Sequence, residues 1–366
     1  MFETGEAGSS SRRIGLRCSL ATMTLLGLSG GAAYAQSSVT LYGSLDGGLR
    51  NVVNGTKAGG AALTMASNGV YRSNRWGFLG IEDLGGGYYA RFNLEAGYIL
   101  STGANSSTTN QLFQRTSTVG LGGPFGQVDI GHQFTLQHRL IRDFEPFNLR
   151  YLGITEAAAV SGGTSGRDDN AIHYHGDFGP WTARAVYAPG GIAGSLASGT
   201  VLAGGLNYHT DMFKFGAGYT HRSNPLSTTS TTTPYFANDQ YTAGGAVTLG
   251  PVDVMAGYSL ATQAVPSTLR GGETRNQYLW GGLRYQASPF FNVTAAYYDN
   301  ANATAGVDGR KDVAILGITY SLSKSTQLYA DIDYTHFTGG YVTNATLNPS
   351  QHGKQTGVSF GMNHDF

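Results

Sequence analysis

From Gln36 to its last residue the chain alternates apolar and polar side chains with a period of two, the pattern of an extended strand with two different faces. Val39, Leu41, Leu45 and Leu49 share one face, while Thr40, Tyr42, Ser44, Asp46 and Arg50 share the other. Residues 241–249 set Tyr241, Ala243, Val247 and Leu249 against Thr242, Gly244 and Thr248. Residues 252–260 set Val252, Val254, Ala256, Tyr258 and Leu260 against Asp253, Gly257 and Ser259. Leu328, Ala330, Ile332 and Tyr334 likewise oppose Gln327, Asp331, Asp333 and Thr335. Segments 74–82 and 112–122 mix the two classes on both faces.

Alternation suits either a soluble sandwich, whose apolar face is a core, or a membrane barrel, whose apolar face meets lipid and whose polar face lines a lumen. Segment length separates the two. Many segments run for about 9–12 residues, enough for a tilted strand to cross a bilayer and longer than the usual strand of soluble sheets. Aromatic residues gather near segment ends, among them Tyr88, Tyr89, Trp181, Tyr187, Tyr208, Phe213, Tyr219, Phe290, Phe291 and Tyr320. Such belts belong at the two membrane–water interfaces.

The connections alternate in length. Tight turns are expected at 83–87, 122–126, 176–180, 209–212, 249–251, 287–290 and 321–325. Longer polar stretches lie near 53–73, 101–111, 136–167, 190–200, 224–239, 264–274, 300–310 and 337–354. Seven short turns and eight long loops join 16 strands, an even number with both ends on the short-turn side, as closure of an antiparallel barrel requires. The sequence therefore predicts an all-β, 16-stranded antiparallel transmembrane barrel.

Composition fits this reading. The 366 residues include 55 Gly and 22 Tyr, with only 13% charged side chains. Ahead of the alternating region, Arg12, Arg13 and Arg17 precede an apolar run from Leu20 to Ala33 and the small-x-small site Ala33-Tyr34-Ala35. That arrangement predicts a signal peptide over residues 1–35 and a barrel over 36–366. Removal of the signal leaves 20 basic and 21 acidic residues, with no excess charge to draw nucleic acid, and discards Cys18, the single cysteine. The last strand alternates Val358, Phe360, Met362, His364 and Phe366 with polar or small residues and stops on the aromatic.

Several stretches carry a resemblance. SSVTLYGSLDGGL (37–49), RWGFLGIEDLGGG (75–87), FQRTSTVGLGGPFGQVDIGHQ (113–133), YSLSKSTQLYA (320–330) and TGVSFGMNHDF (356–366) resemble the general porins of β-proteobacteria such as Burkholderia and Bordetella. The resemblance covers essentially the whole mature chain. It implies a homotrimer in the outer membrane, in contact with lipid and lipopolysaccharide, that passes ions and small hydrophilic solutes. It also implies a third external loop folded into the lumen, and 136–167 is both the third long loop and the longest. Phe366 matches the terminal aromatic that the family's barrel-assembly machinery reads. The chain departs from the family where an arginine is usual: His132 follows the Gly of the VDIG segment, and Leu79 replaces a second arginine of the 75–80 stretch.

A porin selects by width and by charges facing one another across an aqueous slot. By resemblance the basic wall is Arg75, Arg115 and Arg167. Parity puts Arg167 on one face with His173 and His175, and puts Arg91 and Glu95 on one polar face with Asn93. Asp143 and Glu145 of the third loop are the acids expected across the slot. An arginine wall with few opposing acids predicts a weak anion preference. No cofactor is called for. A substrate-specific channel for a sugar or a carboxylate is the alternative; it calls for an aromatic ladder, and the polar faces show only scattered Tyr. His173 and His175 share a strand face and could hold a metal, but no third ligand stands out. Enzymatic outer-membrane barrels need a nucleophile–base set that no motif singles out here, and the glycine-rich stretches precede no helix, as a phosphate loop would require. Edman sequencing of the exported protein is expected to begin at Gln36; an N-terminus inside the apolar run would move the boundary.

Overall fold

The computed structural model describes residues 37–65, 69–107, 109–156, 166–225, 235–264, 273–303, 308–345 and 347–366. The predicted signal peptide lies outside the described residues. Among those described there are seventeen strands: β1 Ser38–Val53, β2 Ala61–Met65, β3 Arg75–Gly85, β4 Tyr88–Gly97, β5 Thr116–Gly123, β6 Gly126–Phe134, β7 Arg167–Phe178, β8 Trp181–Ala188, β9 Val201–His209, β10 Phe213–Pro225, β11 Tyr235–Leu249, β12 Val252–Ala264, β13 Glu273–Ser288, β14 Phe291–Ala303, β15 Gly309–Ser321, β16 Thr326–Gly339 and β17 Lys354–Asp365. The short β2 extends the first long loop and pairs only with the end of β1. The other sixteen form the wall, each antiparallel to its neighbours, and the last pairs with the first from Ser44↔Asp365 to Val53↔Thr356. The barrel is closed, with the strand count that the loop rhythm predicts, and all seven tight turns fall where the sequence places them.

Closure reaches the last residue. The Gly43 N–H donates to the Phe366 carbonyl at 3.0 Å, and the Phe366 N–H donates to the Gly43 carbonyl at 3.2 Å. The Phe366 ring lies so close over Gly43 that a Cβ there would stand 2.4 Å from it.

The apolar rows point outward. Val39 is 65% exposed and Phe360 57%, while Ser44, Asp46 and Ser359 on the opposite face are buried. A β-strand cannot bury one row without exposing the next, so this polarity commits the outer surface to lipid. Trp280 makes the same point inside out: it is buried between the exposed Leu279 and a glycine.

The interior row receives part of the third long loop. Two short helices, α1 Leu136–Ile141 and α2 Leu152–Thr155, frame residues 135–156. Thr135 caps α1 by accepting the His138 N–H at 3.2 Å. Leu140, Ile141, Phe144, Phe147, Tyr151 and Ile154 pack with Tyr278, Trp280, Tyr298 and Tyr329 in one apolar cluster. Glycines on the wall make the room: a Cβ at Gly244 would lie 2.4 Å from the Phe144 ring, and one at Gly282 would lie 2.6 Å from Pro146. The loop backbone is tied to the wall by Trp280 Nε1 donating to the Phe144 carbonyl (3.0 Å), Asn207 Nδ2 to the Leu140 carbonyl (3.2 Å) and Arg284 Nη2 to the Pro146 carbonyl (2.6 Å).

Replacing Gly244 by Val is expected to displace Phe144, whose burial is worth about 3 kcal/mol on the scale of core Phe truncations. Trypsin should then cut the folded barrel at Arg142 or Arg150 many times faster than it cuts the wild type, with the heat-modifiable gel shift of the barrel retained. Equal cleavage rates would show that the loop does not rest on this glycine.

Candidate functional site

The residues of interest gather at the long-loop ends of the first strands. Arg75 opens β3, Glu95 lies near the end of β4, Arg115 immediately precedes β5 and Arg167 opens β7. Register places Tyr42 of β1 across from Gly77, and Gly77 across from Glu95, so the missing side chain of Gly77 lets Tyr42 reach over it. The Tyr42 hydroxyl contacts Asn93 Oδ1 at 2.8 Å and Glu95 Oε2 at 3.1 Å. Glu95 is shared by two arginines: Arg115 Nε donates to its Oε1 at 2.7 Å, and Arg75 Nε stands 3.5 Å from its Oε2. Glu95 thus neutralises half of the charge that the two arginines bring.

Arg167 joins this group by a different route from the one parity suggests. Its Nε donates to the Arg115 carbonyl at 2.5 Å, and its guanidinium lies 4.2 Å from the centre of the Phe134 ring, which stacks in turn on His138. The alternation along β7 does not run through to His173. Asn170 has φ +53°, the pairing with β6 shifts between Gly131 and Gln133, and both Asp168 and Ala171 are buried on the inner face. Arg167 reaches the interior because it leaves the third loop there, not because it shares a row with His173. Burial, and then the charges of Arg167 and other arginines, push the His138 pKa well below the ordinary value.

The remaining candidates separate. Asp143 is exposed and lines the same cavity as the arginines. Glu145 does not. It is fully buried, accepts from the Tyr298 hydroxyl and, at 2.5 Å, from the Leu149 N–H, and burial raises its pKa. The expectation that Glu145 faces permeants is therefore corrected: it fastens the loop to β14. Arg91 does not line the cavity; it lies on the wall beside Asp129, Nε to Oδ1 3.8 Å. His132 sits between Asp169 (Nδ1 to Oδ1, 2.5 Å) and the Gln114 carbonyl (2.8 Å), bracing β6 to its neighbours. His173 and His175 lie on the inner face of β7, and no group of three metal-ligating side chains occurs among the described residues.

These elements enclose a cavity of about 1280 Å³. Ten Arg and Lys side chains and four Asp and Glu side chains line it. Several of the basic ones were not singled out from the sequence, notably Arg139, Arg142, Arg184 and Lys214. A signal for two of them was present. Arg184 alternates with Trp181 and Tyr187, and Lys214 stands between Phe213 and Phe215, so strand parity turns each inward.

The model of the Gram-negative porins matches residues 21–340. The chain belongs to the Gram-negative porin family. It is 27% identical to an outer membrane porin protein of Bordetella pertussis, over 95% of this chain and 99% of that one. Its fold superposes on an anion-selective porin from Comamonas acidovorans with a TM-score of 0.72 at 23% identity, covering 90% of this chain and all of that one. The trimer form of OmpT from Vibrio cholerae gives a TM-score of 0.65 at 13% identity, covering 90% and 99%. The family places this porin in the outer membrane as a diffusion channel, and porins are channels rather than enzymes.

Replacing Glu95 by Gln in this porin keeps the hydrogen-bonding shape and removes the charge shared by Arg75 and Arg115. Chloride permeability relative to potassium is expected to rise severalfold, more in dilute than in concentrated salt, because the screening length shortens from about 10 Å at 0.1 M to about 3 Å at 1 M. Reversal potentials in a KCl gradient report this, and an unchanged value would place Glu95 outside the conducting path.

Proposed function

We propose that this porin is a homotrimer whose three water-filled channels pass ions and small hydrophilic solutes with a preference for anions. The observation that carries the reading is the charge around the cavity, ten basic side chains against four acidic ones, in a chain that is neutral as a whole. In an aqueous slot between low-dielectric walls, two charges a few ångströms apart interact by about 1 kcal/mol or more, and about 1.4 kcal/mol is a tenfold change in partitioning. In this reading the third loop narrows the lumen, and Arg75, Arg115, Arg167 and Asp143 face the permeating ion. Arg91 and the buried Glu145 support the wall and the loop. Residues 1–35 direct export and are removed, and Phe366 presents the assembly signal. Support for a trimer comes from the resemblance and from the likeness to porins whose trimer form is known.

The double variant Arg75→Gln, Arg115→Gln is expected to move the reversal potential in a KCl gradient towards potassium with little loss of conductance, since Gln nearly keeps the bulk. A wild-type channel that prefers potassium would overturn the anion reading. The unheated detergent gel should show one species near three times the mass of the boiled chain; a monomer by both gel and light scattering would overturn the trimer.

A further inference from the structure

The cations around the cavity are not equivalent. Arg72, Arg75, Arg115 and Arg284 each lie within salt-bridge distance of a carboxylate: Asp365 for the first, Glu95 for the next two and Asp253 for the last. On the α1 side, among the described residues, the Arg184 side chain has no hydrogen bond or ion pair within the protein. The Arg139 side chain has a single hydrogen bond, from Nη2 to Gln133 Oε1 at 3.3 Å. The Nε atoms of both are buried and unpartnered.

The fold brings these two arginines together. Arg184 shares a register row with Gly205 and Gly218, which leave the wall bare beside it. Leu136 and Leu140 of α1 seat on those glycines, within 3.4 Å of where their Cβ atoms would be. That seating puts Arg139 on the same cavity lining as Arg184, whose charge acts on it. Behind this lining, His173 lies across from Val186 and diagonal to Arg184, 3% exposed with neither ring nitrogen partnered, and His175 lies directly across from Arg184. None of the acids nearby forms a salt bridge with either arginine. Asp129 takes Gln127 on one oxygen, while its other oxygen has no hydrogen bond, stands 3.8 Å from Arg91 and acts on Arg139 from beyond salt-bridge distance; Asp177 takes Thr182 and His175, and Asp143 acts on Arg184 from beyond salt-bridge distance.

Two guanidinium groups that line one cavity, each with a buried and unpartnered Nε, are unfavourable unless acceptors are supplied, because each orphaned donor forfeits its hydration. The planar fork of Arg matches the paired oxygens of a carboxylate or phosphate. We propose that Arg139 and Arg184 form an oxyanion-binding site on the α1–β8 side of the cavity, separate from the Arg75–Glu95–Arg115 group, where a permeating carboxylate or phosphate group pauses. The site rests on the anion-channel reading, and the test separates the two.

Chloride current through single channels is measured while inorganic phosphate or malonate is titrated in. The wild type should show saturable block by at least one of them. Arg184→Gln should weaken that block at least tenfold, and Arg184→Lys should retain most of it. Asp143→Asn, which removes the nearby competing carboxylate, should strengthen it. The double variant of Arg75 and Arg115 should keep it. Phosphate block alone assigns the site to phosphate groups, and malonate block alone assigns it to carboxylates. Absence of saturable block by either anion, block unchanged in Arg184→Gln, or block lost with Arg75 and Arg115 would overturn the site. The reversal potential of the same channels reads the selectivity independently. A potassium-preferring channel with Arg184-dependent block would overturn the anion reading and leave the site standing.

Discussion

In a bilayer, no water is available to satisfy a peptide group, so every backbone N–H and C=O of the spanning region needs a partner in the chain itself. Antiparallel strands meet that demand only if the sheet has no edge, and the rest of this molecule follows from how the edge is removed. β1 and β17 pair over ten residues, and reciprocal hydrogen bonds between Gly43 and Phe366 carry the seam to the last residue. Once the sheet is closed, each strand has one row in lipid and one row inside. The outer row must be apolar. The inner row is released from that requirement, which is why buried Ser, Thr, Asp, Asn and Arg are concentrated there.

That freedom is used to seat a loop and to arrange charge. Residues 135–156 lie against the inner faces of β8–β16 because glycines at 205, 218, 244, 282 and 317 leave space for Leu136, Leu140, Phe144, Pro146 and Phe147. Glu145, its pKa raised by burial and its carboxyl held by Tyr298 and the Leu149 N–H, is part of the fastening. With the loop fixed, its arginines have fixed neighbours too. One group of cations sits on carboxylates that offset part of its charge; among the described residues Arg139 and Arg184 have no such partner.

Much of this was legible along the chain. Rows such as Val39-Leu41-Leu45 and Val358-Phe360-Met362 lie outside as their alternation predicts, and the tight turns fall where turn residues place them. Sequence order alone misled where the period breaks. A bulge at Asn170 interrupts β7, so Arg167 and His173 do not share a row, and nothing in the run Arg167-Asp168-Asp169-Asn170 announces which residue is the extra one. Glu145 reads as an exposed loop acid because its cover, Tyr298, is 153 positions away.

The sequence by itself therefore determined the architecture. A period of two, the spacing of turns and the belts of aromatics are local properties, and a closed antiparallel wall is the one arrangement that satisfies them in lipid. The tertiary structure alone decided the chemistry of the interior. Which arginine meets Glu95, which acid is buried and which guanidinium keeps a free fork depend on register, on one bulge and on a loop packed across the barrel. Those are contacts between residues far apart in the chain, and a charge acquires its role from the partner that the fold places within about 4 Å of it.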